Sequence, residues 1–391
     1  MSRLLARVRA RPRLVCWLVV GALVVGAGLL LQTPLFRYQV LRPYLEQQAL
    51  PGYVSDCRSD DPGVRARALE TVFALRGTLT GKAVEQARDL VLEGLSDPDT
   101  SVRLTAAQAA GEIGLNEAAP PLRQLAANKD EDADVRCAAV AALGRLEDAE
   151  SVGLLVGLLR GDDTTLHGAA EWALVGIGEP ALRPAAALFA GSDAEVRSRG
   201  QSVLTRIGAP AIPLLLSYLG SSDPALAKSA AAALVQIGGP ALSSLVGVLG
   251  AAETPRARVV AAQTLESIID DRSMGPLLPQ YGSRVSNALR EAALHDPSAD
   301  VRTAAVSSLA TLGRLCDDDR AALACIEALH DRDPAVHDEA RRALKAMGDP
   351  ALRALNQKLA KYSREGGGKA DPEDADALVA AYERLAGLAS T

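Results

Sequence analysis

Aromatic residues make up 3% of this 391-residue chain: three Phe, two Trp and seven Tyr. A β-sandwich or barrel core draws on aromatic and β-branched side chains, so this scarcity argues against both. The apolar share is still 48%. It falls on Ala, Leu, Val and Ile, and Ala and Leu are strong helix formers. The composition therefore predicts close-packed helices, in one large or two ordinary domains.

The side chains of chemistry are equally sparse. There are four histidines, His167, His295, His330 and His337. Three precede an aspartate (Asp296, Asp331, Asp338), which raises a metal reading. The first of these pairs and the His330 pair occupy the same place in two successive repeats, at the end of a helix, where a His favours the dipole without ligating anything. No Cys-x-x-Cys pair occurs, so no zinc site is indicated. Neither a Gly-x-Ser-x-Gly elbow nor a phosphate loop is present; Lys82 and Lys369 follow glycines but lack the upstream Gly. Gly176-x-Gly178-x-x-Ala181 mimics a dinucleotide fingerprint, but it has no strand before it. No carboxylates form a pair suited to acid–base work. The expectation is a protein that is not an enzyme, with no catalytic, metal or cofactor-binding residues and no small-molecule substrate.

Charge is unevenly spread. Residues 1–31 hold five Arg and no acid, leaving 37 basic against 48 acidic residues in the remainder. An acidic body argues against nucleic acid as a partner, which asks for a basic footprint. Residues 14–31, LVCWLVVGALVVGAGLLL, carry no charge. At ~1.5 Å per residue the run is ~27 Å long, near the thickness of a bilayer core. With the Arg cluster of residues 1–13 held in the cytoplasm, this reads as a single-pass signal-anchor with the body outside. The alternative is secretion after cleavage, but the run is long and ends in Leu-Leu-Leu-Gln, a poor cut site. Phe36, Tyr38, Tyr44 and Tyr53 follow in the juxtamembrane segment 32–55. They suit either the headgroup zone or the cap of a first repeat.

What the chain has in abundance is a repeated phrase: IGEPAL at 177–182, IGAPAI at 207–212, IGGPAL at 237–242 and MGDPAL at 347–352. Gly ends one helix in a left-handed conformation, and Pro two residues on suits the first turn of the next. A second signature is Asp132-Ala133-Asp134-Val135-Arg136 followed by CAAVAALGRL. The acid caps a helix, and Val135, Ala139, Leu143 and Leu146 follow one helical face. Aligned on that first apolar residue, nine units start at Val64, Val102, Val135, Leu166, Val196, Leu226, Ala257, Val301 and Val336. Their fifth residue is Ala or Gly throughout, the ninth aliphatic or Ala110, the twelfth Leu, Ile or Met. A pair of short helices cannot hide its apolar stripes alone, whereas stacked pairs can.

These phrases resemble the HEAT family, in its short form of about thirty residues named after the phycobilisome lyases. DADVRCAAVAALGRL, SDAEVRSRGQSVLTRIG and DPSADVRTAAVSSLATLG carry the resemblance, which covers residues 56–362. It implies an all-α fold: an α-solenoid of about nine to ten two-helix repeats, here preceded by one transmembrane helix, whose second helices line the concave face. It also implies that Arg65, Arg103, Arg136, Arg197, Arg258 and Arg302 form a ladder with acids of the same or the next unit. His167, Ala227 and His337 interrupt that ladder. One HEAT-like enzyme family, deoxyhypusine hydroxylase, holds iron through His-Glu pairs, and this chain has none.

The step from Ala257 to Val301 carries about fourteen extra residues around IDDRSMGPLLPQYGS, read as a bulging loop or a short extra helix. Cys316 and Cys325 flank a turn and are read either as a bridged pair or as free thiols. Residues 363–371 read as a flexible linker, and 372–391 as a last helix that caps the array or binds a partner. Trp172 stands at the seventh place of its unit, where Glu70, Gln108, Gln263 and Arg342 stand in others. That place faces outward from the second helix, so these five are the candidate partner-binding residues, with Trp172 as anchor or as a locally packed ring. The functional expectation is a membrane-anchored scaffold that binds a protein partner through the concave face. The alternatives are a bilin-lyase-like enzyme or cofactor handler, and a structural envelope spacer.

Overall fold

The computed structural model describes residues 51–74, 82–271, 278–316 and 318–364. Residues 51–56 are helical, and eighteen helices follow. The first seven are α1 (Pro62–Ala74), α2 (Lys82–Gly94), α3 (Thr100–Ile113), α4 (Ala119–Ala127), α5 (Ala133–Arg145), α6 (Val152–Arg160) and α7 (His167–Ile177). After them come α8 (Leu182–Phe189), α9 (Ala194–Ile207), α10 (Ile212–Ser217), α11 (Pro224–Ile237), α12 (Leu242–Ala251) and α13 (Pro255–Asp270). The last are α14 (Leu278–His295), α15 (Ala299–Cys316), α16 (Asp319–Ala328), α17 (Pro334–Met347) and α18 (Asp349–Arg364). No strand occurs among the described residues. Where the sequence reads as one unbroken array, the chain forms two compact units, Met1–Ile177 and Gly178–Thr391.

The odd-numbered helices are the nine that carry the aligned repeat starts from Val64 to Val336. Within each unit an odd helix packs on the odd helices before and after it and on its even neighbours. In the first unit the odd helices press together far more closely than the even ones.

Each repeated position has a mechanical role. The fifth residue meets the even helix of its own repeat: a Cβ on Gly200 would lie 2.5 Å from Phe189 N and 2.9 Å from Ala185 O. The eighth meets the preceding odd helix, and Ala142, Ala173, Ala233, Thr264, Ser308 and Ala343 are all buried there. Leu143, Leu174, Leu204, Leu234, Leu265 and Leu309, at the ninth, are wholly buried. Truncating one of these to Ala costs about 2–5 kcal/mol.

The helix starts follow the expected chemistry. Asp99, Asp132, Asp193, Asp223 and Asp333 each accept a hydrogen bond from a backbone N–H two residues on, and Thr254 accepts one from Ala257, three residues on. The Gly-x-Pro phrases end one helix and open the next through a single 3-10 turn, with Pro in its first residues. The left-handed expectation is met at Gly114 (φ 69°, ψ 39°). At Gly178, Gly208, Gly238 and Gly348, φ is 66–79° but ψ is −120 to −133°. That mirror-extended region is open only to glycine, and it turns the chain into the next helix without a longer loop.

Among the described residues the long step after Ala257 includes a lengthened helix pair: α13 has 16 residues and α14 has 18, while 272–277, within the expected loop or short helix, lie outside the described residues. Pro279 is tolerated because it lies in the first turn of α14, where no N–H partner is needed. At the far end α18 runs to Arg364, two residues beyond the expected boundary at 362.

The expected segments 1–13, 14–31 and 372–391 lie outside the described residues, as do most of 32–55 and all but the start of the linker at 363–371. Among the described residues no helix is long and apolar enough to cross a membrane. The expected single-pass membrane placement is corrected accordingly and is not carried further. Every described helix of 16–18 residues is amphipathic or charged, because it has a neighbour to pack on and a side facing water.

Candidate docking face

The second residue of each odd helix builds the rungs between repeats. Arg65 donates Nε–H and Nη–H to the two carboxylate oxygens of Asp97 at 2.8 and 2.7 Å. Arg103 meets Glu131 in the same way at 2.9 and 2.6 Å, Arg258 meets Asp296 at 2.7 and 2.9 Å, and Arg302 meets Asp331 at 2.7 and 2.8 Å. Arg136 reaches Asp163 at 2.7 Å, and Arg197 reaches Asp223 at 3.5 Å. Of the two pairings implied by the resemblance, only the one to the next repeat occurs in these six. The same guanidinium also donates to carbonyls five or six residues back, such as Asp97 O and Pro98 O for Arg103. These planar forks match carboxylate geometry in a way Lys cannot.

The rungs hold their acids ionised. The Arg302 fork outweighs burial and sets Asp331 below the usual carboxylate range, and Arg103 does so for Glu131. For Asp97 and Asp296, burial alone would raise the carboxyl. The Arg65 and Arg258 forks and the amides of Asp99 and Ser298 overcome it and bring both below the ordinary value. Where the ladder Arg is missing, the replacement bonds locally: His167 Nε2 lies 2.9 Å from Gly161 O of its own repeat, and His337 sits 3.9 Å from Asp338.

No group of three or more His, Cys, Asp or Glu among the described residues could hold a metal ion. Cys57, Cys137, Cys316 and Cys325 are free thiols, which leaves Cys316 and Cys325 unbridged. Burial, with Asp56 nearby, pushes Cys57 up to about 11, and burial also raises wholly enclosed Cys325. Neither is a thiolate near neutral pH. A cleft of about 420 Å³ beside His295, Asp296, Arg302, His330 and Asp331 gathers titratable groups, but both aspartates are already spent on ladder arginines.

What the packing leaves exposed is the outer face of the odd layer. Glu70, Gln108, Trp172, Gln263 and Arg342 are all exposed there, on α1, α3, α7, α13 and α17. Glu70, Gln108 and Trp172 share the first unit; Gln263 and Arg342 belong to the second. Arg342 is engaged with Glu339 at 2.7 Å. Trp172 is 69% exposed, against 41% for Leu315 and 37% for Val84, the other large apolar side chains that stand out. Its ring is therefore not folded down over Gly168. Glycines lie one turn before and one turn after it, at Gly168 and Gly176, and a Cβ on Gly168 would meet nothing within 4 Å. On α5 the same face carries half-buried Cys137, Ala138 and Ala141. The result is a large aromatic side chain beside a floor of small ones. Sequence reasoning named Trp172 but not these small neighbours, although Gly168 four residues before it was a readable signal.

A model of HEAT repeats matches residues 50–132, 126–200, 184–266 and 286–365. The chain is a HEAT-repeat protein. No match was found among curated proteins. Among solved structures, this HEAT-repeat chain is similar to the karyopherin Kap121p bound to the extreme C-terminus of the protein phosphatase Cdc14p, at 13% identity and a TM-score of 0.43, covering 86% of this chain and 41% of that one. It is also similar to the complex of CpcE and CpcF of phycocyanin lyase from Nostoc sp. PCC7120, at 21% identity and a TM-score of 0.34, over 56% and 86% of the two chains. Human deoxyhypusine hydroxylase in complex with glycerol matches at 18% identity and a TM-score of 0.27, over 78% and 98%. The HEAT-repeat chain thus spans less than half the length of the karyopherin, and at these scores none of the likenesses carries a functional argument.

Proposed function

We propose that this HEAT-repeat protein is a non-enzymatic scaffold that holds another protein on the outer face of its odd helices, with Trp172 as the anchor. The observation that carries the reading is the exposure of Trp172 beside small residues. Covering the exposed two thirds of an indole side chain removes roughly 170 Å² from water, or ~4 kcal/mol before the costs of association. Trp is enriched among the few side chains that dominate protein interfaces. Gly168 and Ala141 leave room for a partner side chain to reach the flank of the ring, while Glu70 and Gln108 supply a polar rim farther along the same layer. The commitment of Asp296 and Asp331 to the ladder arginines supports the same reading.

The test is affinity purification with the wild-type chain and Trp172→Ala in parallel. A stoichiometric protein partner that binds the variant about 30-fold or more weakly, with far-UV circular dichroism unchanged, is the expected result. Equal binding by both proteins removes Trp172 from the interface. Recovery of a coloured or redox-active ligand in place of a protein would sink the scaffold reading in favour of a cofactor-handling one.

A further inference from the structure

In helices followed by another odd helix of the same unit, the sixth and tenth residues face that neighbour. Gly144, a tenth residue, lies under Ala173 of α7, and Glu266 reaches Thr311 of α15 at 3.0 Å. Ser308 of α15 sits 3.0 Å from the carbonyl of Ala262, a sixth residue. In those seven helices none of these residues is exposed; Val140, Ala262 and Val306 at the sixth place and Gly144 and Ala310 at the tenth are buried. In α17, the last odd helix, the same two places hold Arg341 and Lys345, and both are exposed. Their neighbours are Arg342, held by Glu339, and Asp338, which is 4.0 Å from Arg341. The end of the described array is therefore cationic at two places where none of the seven stacked helices carries a basic residue.

The chain beyond Arg364 has the opposite sign. Residues 365–391 contain six acids and two bases, and Glu373, Asp374 and Asp376 are clustered. Leu378, Tyr382, Leu385 and Leu388 fall at offsets of 4, 7 and 10, which is one helical face. The intervening residues 365–371 can span up to ~25 Å, enough to turn back onto α17.

We propose that residues 372–391 dock as a helix on the exposed face of α17, with Glu373, Asp374 and Asp376 against Arg341 and Lys345. The aliphatic stems of those two side chains cover the apolar face of the docked segment. The acidic tail takes the place of a further repeat and bars a second solenoid from stacking there, as terminal units of repeat proteins must.

Hydrogen exchange of the full chain at low salt tests this. An isolated helix of this length is marginal in water, so slow exchange across 377–388 reports docking. The expected result is exchange slowed by about tenfold or more, lost in Glu373→Lys/Asp374→Lys/Asp376→Lys and regained when Arg341→Glu and Lys345→Glu are added. Free exchange in the wild type overturns the proposal, as does protection that survives the tail reversal. Protection that grows with protein concentration assigns the tail to a second copy and overturns it as well.

Discussion

Two glycine-to-alanine substitutions in the first unit should change stability in opposite directions. Gly144 lies in α5 and Gly157 in α6, both within helices. In a helix interior, Ala is favoured over Gly by about 0.5–1 kcal/mol. At Gly157 a Cβ would meet nothing within 4 Å, so Gly157→Ala should realise that gain. At Gly144 the added methyl would lie 2.5 Å from the Cα and 2.8 Å from the Cβ of Ala173. Ordinary carbon contacts fall at ~3.5–4.0 Å, so α5 and α7 must separate by about 1 Å. Gly176 confines them further, since its own Cβ would stand 2.8 Å from Gly144 O. Backbone atoms cannot rotate aside, so the overpacking cost of about 1–3 kcal/mol applies in full. Net destabilisation of about 1–2 kcal/mol is expected for Gly144→Ala after its propensity gain is subtracted. Urea titration by circular dichroism reads both variants against the wild type. If the two midpoints move in the same direction, the contact between odd helices is not the close one described here and the account of the layer is wrong.

The rungs make two further predictions. Asp296→Asn should cost about 2–3 kcal/mol, because it leaves Arg258, 8% exposed, without its anionic partner, whereas Glu93→Gln at the exposed Arg58 pair should cost under about 0.5 kcal/mol; thermal unfolding of the two side by side checks the contrast, and equal shifts would contradict it. Acid should weaken the fold through the same groups. Asp97, Glu131, Asp296 and Asp331 titrate below their unfolded values, so their stabilisation is whole above the unfolded pKa of about 4 and fades as pH falls through the lowered native values. Denaturation midpoints between pH 6 and 3 should therefore drop less steeply in Arg302→Met than in the wild type, and parallel curves would take the ladder out of the explanation.

Much of the fold was legible because helix stacking writes its constraints locally. Asp caps, Gly-x-Pro turns and apolar places one, five, nine and twelve each act within a few residues, and each was found where it stands. The eighth place escaped notice because its partner lies one repeat away: Ala142, Thr264 and Ser308 look alike only once the preceding odd helix is beside them. The division at Ile177–Gly178 escaped for a related reason, since IGEPAL is the same phrase that joins helices elsewhere. Part of the extra length after Ala257 lies in α14, which the sequence did not show because Pro279 signals a break, yet it is harmless in a first turn. Of the candidate face, the sequence reads Trp172 as pointing outward. The 69% exposure of its ring was not legible there, because exposure depends on what the neighbouring helix carries.

That last point bears on where function can reside in such a molecule. The first, fifth, eighth, ninth and twelfth places of each odd helix are fixed by packing, the second by the ladder, and the sixth and tenth by the next helix. A substitution at any of these must satisfy a neighbour before it can serve a partner. Only the outward places, such as the third and seventh of α7, can change with little cost to the stack. In α7 those two read Gly168 and Trp172. Packing leaves the indole 69% exposed, and a Cβ on Gly168 would meet nothing within 4 Å, so glycine there lowers helix propensity by up to about 1 kcal/mol relative to Ala without relieving a contact; Gly176 differs, because its glycine admits the close approach of Gly144. A cost without a structural return, concentrated around one exposed indole, is what a binding site leaves behind in a repeat protein. If Gly168→Ala stabilised the chain and left partner affinity untouched, that reasoning would fail at its central step; a stabilised chain with weakened binding is the outcome it requires.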